Sequence, residues 1–307
     1  MPVPNRYLLH QGPVIGALLR AAMGASKNKG GSQAQPQVPG PEQRVVLPPR
    51  PKDLVRDYVR HVGGEPSAYR NELPPHLFPQ WVFPLVTESF EGLPYPMKKA
   101  LNGGCRIEMN APIPGNEPLE VQGRLESIDD DGRRAILQHR SVTGTSSQPE
   151  ALVAYFHAIV PLGGGKSKDK GNGAPKKPKA EKPRVPEDAR EIARWKIGAK
   201  AGREFAKLTG DINPIHWVPP AARAAGFRNV ILHGFSTLAR AMEGLNRGLF
   251  AGDVHAIRAM EVRFTRPLVL PAQVGLYARG DSEVYVGDAP GGPAYLRGTF
   301  QAPGHGA

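Results

Sequence analysis

Two residue types that together can handle water stand close in the chain. They are Asp211 and His216, in the stretch Phe205-Ala-Lys-Leu-Thr-Gly-Asp-Ile-Asn-Pro-Ile-His216. A carboxylate and an imidazole projecting from one rigid loop can hold a water molecule, deprotonate it and return a proton. The residues around them favour such a loop. Gly210 permits a backbone turn closed to most side chains, and Pro214 fixes its own φ and pushes Asn213 toward an extended conformation. Farther on, His233-Gly234 opens an apolar helical run. The first N–H groups of a helix have no internal partner and sit at its positive end. A glycine there lets a ligand carbonyl approach, so the Gly234 amide is a candidate oxyanion contact. Asn213 and His233 are candidates for substrate binding beside it. Each residue also has a plainer reading. Asp and Asn after a glycine are common turn formers, and His233 serves equally well as a helix-entry residue.

The elements that must position these residues follow from hydrophobic spacing. In the second block of the chain, Ala201–Leu208 is expected to be a short helix ended by Gly210, and Pro219–Ala225 a smaller one ended by Gly226. A longer helix runs from His233-Gly234 to about Phe250. Its Phe235, Leu238, Met242, Leu245 and Leu249 recur at helical spacing, while Ala239, Ala241 and Gly244 keep other faces slim, as in an interior helix. Strands are expected at Ala259–Thr265, Ala272–Arg279, Ser282–Val286 and Ala294–Gln301. The first block has the same order of parts. A helix over Pro79–Gly92, interrupted at Pro84, precedes strands at Gly104–Ala111, Leu119–Ile128, Arg134–Val142 and Ala151–Val160. The acidic turn Asp129–Gly132 joins the middle two. One buried helix followed by an antiparallel run, twice over, predicts two sheets side by side, each curled around its own helix.

Composition limits the partners. The net charge is +12, but half of it falls between Lys166 and Arg184, where eight basic residues face Asp169 and Glu181. That stretch holds no aromatic residue and reads as a solvated basic linker, Gly163–Pro186, not as a nucleic-acid module. Gly24–Pro41 is rich in Gly, Ser, Gln and Pro and is expected to be an exposed loop. No apolar run is long enough to span a bilayer, and no secretory leader is read at the start. The one cysteine, Cys105, is expected to be a buried thiol that neither pairs nor ligates. The expected compartment is the cytoplasm, with no membrane partner, no nucleic-acid partner and no metal.

Gly210-Asp-Ile-Asn-Pro-Ile-His216 resembles the signature of the MaoC-like dehydratases, the (R)-specific enoyl-thioester hydratases. Ala224-Ala-Gly-Phe227, Ile231-Leu-His-Gly-Phe235 and Glu261-Val-Arg-Phe-Thr-Arg-Pro267 match the family's order, so the likeness covers about 194–301. Leu73-Pro-Pro-His-Leu-Phe-Pro79 and Phe83-Pro-Leu85 resemble the amino-terminal half of two-domain members. The resemblance implies an α+β double hot-dog with a degenerate half over 1–162, the linker 163–186 and a catalytic half over 187–303. It implies that Asp211 and His216 are the water-handling pair and that the Gly234 amide contacts the thioester oxygen. It further implies a hydro-lyase acting on acyl-CoA or acyl carrier protein thioesters, with no cofactor, in a chain that can pair as a homodimer. Asn102–Arg106 is expected to face the seam between the halves. The chain departs from the family at Val218, where an acidic residue is common, and at Met242, near which some members have a serine. Two alternatives remain open: an acyl-binding protein of the same fold without catalysis, and a hot-dog thioesterase.

Overall fold

The computed structural model describes residues 2–24, 36–162 and 182–304. The first half contains α1 (Gly12–Gly24), β1 (Gln43–Leu47), α2 (Lys52–His61), α3 (Pro66–Tyr69), β2 (Glu72–Leu73), α4 (Pro79–Ser89), β3 (Leu101–Met109), β4 (Ile113–Pro114), β5 (Leu119–Asp130), β6 (Arg134–Gly144) and β7 (Leu152–Pro161). The second contains β8 (Arg190–Ile197), α5 (Ala201–Thr209), α6 (Pro219–Ala224), α7 (Gly234–Leu249), β9 (Ala259–Phe264), β10 (Ala272–Arg279), β11 (Glu283–Gly287) and β12 (Ala294–Gln301). The two expected antiparallel runs are present. They are fused edge to edge into one ten-stranded sheet, in the order β1-β5-β6-β7-β3-β9-β12-β11-β10-β8.

The seam of that sheet is β3 against β9, with Cys105 opposite Val262 and Ile107 opposite Met260. The segment expected at the interface between halves therefore supplies it, through Gly104–Arg106 and on to Glu108. Alternation sets the buried face. Leu119, Val121 and Leu125 on β5 and Ala135 and Leu137 on β6 point to the core. The turn between these strands is pinned by acidic side chains, because Asp130 accepts from Gly132 N–H and Asp131 from Arg133 and Arg134 N–H.

Each half curls over its own helix. In α4, Pro84 stands inside the helix without ending it, and the buried Trp81 donates its indole N–H to Thr143 on β6. In α7, Leu238 and Leu245 are fully buried, as their spacing predicts. A polar cluster joins this helix to the first half. The Glu243 carboxylate accepts from Tyr69 O–H at 2.8 Å and lies 3.0 Å from His76 Nε2, and the Tyr58 hydroxyl lies 3.0 Å from His76 Nδ1. All four residues are buried, so their polar atoms must satisfy one another.

One boundary needs correcting. The linker was expected to reach Pro186, but residues 182–186 belong to the second half. Val185 is buried in a small cluster with Ala189, Tyr277 and Ala294, its N–H donates to Gly292, and Pro183 accepts from Ala294 N–H. An apolar valine with a cleft available leaves solvent, whatever the composition around it. The remainder of the basic stretch, 163–181, lies outside the described residues, as do 25–35 of the expected exposed loop. Cys105 is buried on β3, and burial pushes its thiol pKa well above the ordinary range.

Candidate active site

The site begins where α5 ends. Gly210 takes φ +81°, and its N–H closes the helix onto Ala206. Asp211 follows with its side chain partly exposed. Its Oδ1 accepts from Asn213 N–H at 3.3 Å, which folds the loop back. Asn213 then caps the short turn Pro214–His216, its Oδ1 accepting from Ile215 N–H. Asn213 itself is exposed, so the contact that the structure gives it is local capping.

The turn delivers His216 into the protein. Its ring is buried, and Nδ1 donates to the Ile231 carbonyl at 2.8 Å. That bond fixes the tautomer, since a nitrogen facing a carbonyl must carry the proton. Nε2 is left with its lone pair outward as a proton acceptor. The loop is anchored on its other side as well: Ile231 N–H donates to Ile215, and the Trp217 indole N–H donates to Ile212.

His233 sits at the N-cap of α7, fully buried, with its ring stacked on that of His216 at a centroid distance of 3.6 Å. Its Nε2 donates to the backbone carbonyl of Asp211 at 3.0 Å and lies 3.8 Å from the carboxylate. Burial, reinforced by His216 beside it, pulls the His233 pKa down to about 3, so the ring is neutral. Asp211, His216 and His233 thus bring ligand atoms within 4.8 Å of one another. A metal ion would need nitrogen lone pairs converging at roughly 2 Å. Two near-parallel stacked rings direct their in-plane lone pairs side by side instead of at one point, and so meet that requirement poorly. A water molecule, accepted by a carboxylate and by His216 Nε2, suits the donor set better.

Gly234 is the first residue of α7, and its N–H has no partner among the described residues. A Cβ at this position would lie 2.6 Å from the Phe264 ring, so a larger residue would be forced against that ring. Spacing gives Phe264 a strand role and no more. Its ring begins a series, Phe264–Phe235–Phe156–Phe83, with centroids 5.9, 5.9 and 6.1 Å apart. The series runs from the free amide across to the central helix of the first half. Of the five residues picked from the sequence, Asp211, His216, His233 and Gly234 come together here. Asn213 caps the turn that leads to His216.

A sheet curled over a helix, twice in one chain, with a carboxylate and an imidazole near the amino end of the second helix, defines a double hot-dog protein. Residues 176–281 match the family model for the MaoC like domain. The chain is 31% identical over 273 residues to 3-hydroxyacyl-thioester dehydratase X of Mycobacterium tuberculosis (strain ATCC 25618 / H37Rv), spanning 86% of this chain and 88% of that one. It therefore belongs to the MaoC-like dehydratase family. The crystal structure of HtdX of Mycobacterium tuberculosis superimposes with a TM-score of 0.63 at 23% identity, over 85% of this chain and all of that one. Another protein of that bacterium, described as having a double hotdog fold, superimposes with a TM-score of 0.56 at 12% identity, over 87% and 96%.

Proposed function

We propose that the chain interconverts trans-2-enoyl and (3R)-hydroxyacyl thioesters, with Asp211 and His216 handling the water and Gly234 N–H binding the thioester oxygen. Family membership makes it a hydro-lyase of acyl thioesters. The observation that carries the finer reading is that Asp211 and His216 bring a carboxylate oxygen and a ring nitrogen within 4.8 Å of one another, next to the start of α7.

In hydration, the acyl chain lies along the phenylalanine series with its carbonyl against Gly234 N–H. Water is held by two acceptors on one face of the double bond. Its oxygen bonds to C3 while one of its protons passes to the pair, and the π electrons move toward the carbonyl. The amide and the positive end of α7 stabilise the enolate charge that develops there. A proton from the same pair then reaches C2, which completes the addition of water. Dehydration runs the same steps in reverse. Holding the water on one face predicts a single stereoisomer.

No cofactor is needed, because the thioester itself acidifies C2. The chain has an excess of basic residues, which suits an anionic carrier, either CoA or acyl carrier protein. A homodimer remains part of this proposal. No helix among the described residues is long and apolar enough to cross a membrane.

The test is direct. Purified chain is mixed with crotonyl-CoA and the enoyl absorbance is followed, then the product is resolved on a chiral column. Loss of absorbance with (3R) product is expected. Persistence of the enoyl signal at saturating substrate would leave an acyl-binding protein. Release of free thiol, detected with a thiol reagent, would leave a thioesterase.

A further inference from the structure

The segment ahead of β1 packs on the turn that presents Asp211. Gln11, whose side chain is fully buried, donates from Nε2 to the Leu208 carbonyl at 2.8 Å and to the Lys207 carbonyl at 3.3 Å. These belong to the last turn of α5, whose carbonyls have no partner within the helix. On its other side, Gln11 Oε1 accepts from Gln80 Nε2 on α4 at 3.2 Å. The orientation of the amide is forced, since only its N–H groups can face two carbonyls.

Neighbouring contacts fasten the same segment to the same helix. Val3 N–H donates to Glu204 at 2.6 Å, and the Val3 carbonyl accepts from Lys207 Nζ at 2.8 Å. The wedge continues at Gly210. A Cβ there would lie 2.9 Å from Val14 Cβ and 3.0 Å from Gln11 Cβ, so the turn rests directly against α1 and the residue before it. Asp211 is the next residue along the chain. Capping the end of α5 and pressing on the Gly210 turn from outside restrain the backbone that presents the carboxylate.

We propose that Gln11 is a positioning residue for the Asp211 carboxylate, acting through the carbonyls that end α5 and the Gly210 turn. Its hydrogen bonds go to Leu208, Lys207 and Gln80, not to Asp211 or His216. Its effect rests on the proposed role of Asp211, so the test carries one readout that needs no activity.

The full chain is made with Gln11→Met, which keeps side-chain length and loses the polar contacts, and with Gln11→Glu, which sets a carboxylate oxygen against two carbonyls. Crotonyl-CoA hydration is measured well below each variant's unfolding midpoint. Hydrogen exchange of the 209–216 backbone is followed by mass spectrometry. A small displacement of a reacting group costs up to about 100-fold, so kcat should fall roughly 10- to 100-fold with KM little changed, more in Gln11→Glu. Exchange at Gly210 and Ile212, whose N–H groups bond within this turn, should quicken while α7 is unaltered. A kcat within about threefold of wild type in Gln11→Met, or unaltered exchange in that variant, overturns the assignment. So does a fall in unfolding midpoint with kcat preserved, which is what a purely structural contact gives. If Gln11→Glu does not fold, Gln11→Met decides alone. If the wild-type chain fails to hydrate crotonyl-CoA, the proposed function falls, and the exchange comparison still decides Gln11.

Discussion

At the scale of single residues, the site depends on which nitrogen each histidine commits to a carbonyl. His216 spends Nδ1 on Ile231, leaving Nε2 for the proposed proton transfer, whereas His233 spends Nε2 on the Asp211 backbone. Asp211→Asn and His216→Gln should each fold and lose about 10²- to 10⁴-fold in turnover, the usual size of acid–base effects. Activity in both variants within about tenfold of wild type would detach these residues from the chemistry. His233 calls for a different test. A glutamine amide nitrogen overlays Nε2, and an asparagine amide nitrogen overlays Nδ1. His233→Gln should therefore retain most activity, and His233→Asn should lose it, because Nδ1 has no partner among the described residues. Equal kcat in the two variants would show that the donor to Asp211 is immaterial. The loop that brings Asp211 and His216 near each other was legible from Gly210 and Pro214, which act through local rules, while the pairing of the two as water handlers came from the family resemblance. The choice between substrate contact and helix entry for His233 was not legible. It turns on a carbonyl 22 positions away in sequence, and such long-range pairings leave no periodic mark.

Elements show the same division between local and long-range causes. The central helices and the strands after them carry strong periodicity, and the expected and observed spans agree to within a few residues. What spacing missed, namely α1, α2, α3, β1, β2, β4 and β8, is short, exposed on one side or placed at a sheet edge, where burial imposes little pattern. Gly202 in α5 illustrates a requirement that only the packed structure shows. A Cβ there would stand 2.2 Å from the His216 carbonyl oxygen, so α5 lies on the turn that carries the imidazole with no room for a methyl group. Gly202→Ala would normally favour a helix by roughly 0.5–1 kcal/mol. Here it should destabilise by about 1–3 kcal/mol, because forced overpacking outweighs helix propensity. Turnover should fall with it, as α5 is pushed off the turn. Chemical unfolding followed by tryptophan fluorescence gives the first quantity and crotonyl-CoA hydration the second. An alanine variant that is more stable and fully active would mean that the turn yields freely.

The whole molecule keeps several imidazoles neutral, and this makes its stability depend on pH. His139 on β6 of the first half and His233 in the second are both pulled from 6.5 to about 3 by burial. His61, at the end of α2, is brought to about 3 by burial and by the Arg240 guanidinium of α7, which also donates to the His61 carbonyl. The sign follows from where each state binds protons. Above about pH 6.5 neither the folded nor the unfolded chain protonates these rings, and they contribute no pH dependence. As pH falls from there toward 3, the unfolded chain takes up protons that the folded chain refuses, so folding stability drops. Each withheld proton costs about 1.4 kcal/mol per pH unit. Two to three such groups lose roughly 3–4 kcal/mol per unit, against a typical total of about 5–15 kcal/mol. The β3–β9 seam and the Glu243–His76–Tyr69 cluster tie the halves together, so the loss should appear as one transition. Trp81 in the first half and Trp195 and Trp217 in the second should report the same midpoint, falling steeply between about pH 6 and pH 4. His139→Gln removes one of these protons without touching the proposed site, so it should flatten that slope by about a third while leaving the pH dependence of hydration as it was. An unfolding midpoint level from pH 7 down to about 5, or a slope indifferent to His139→Gln, would mean that the folded protein accommodates protonated imidazoles after all.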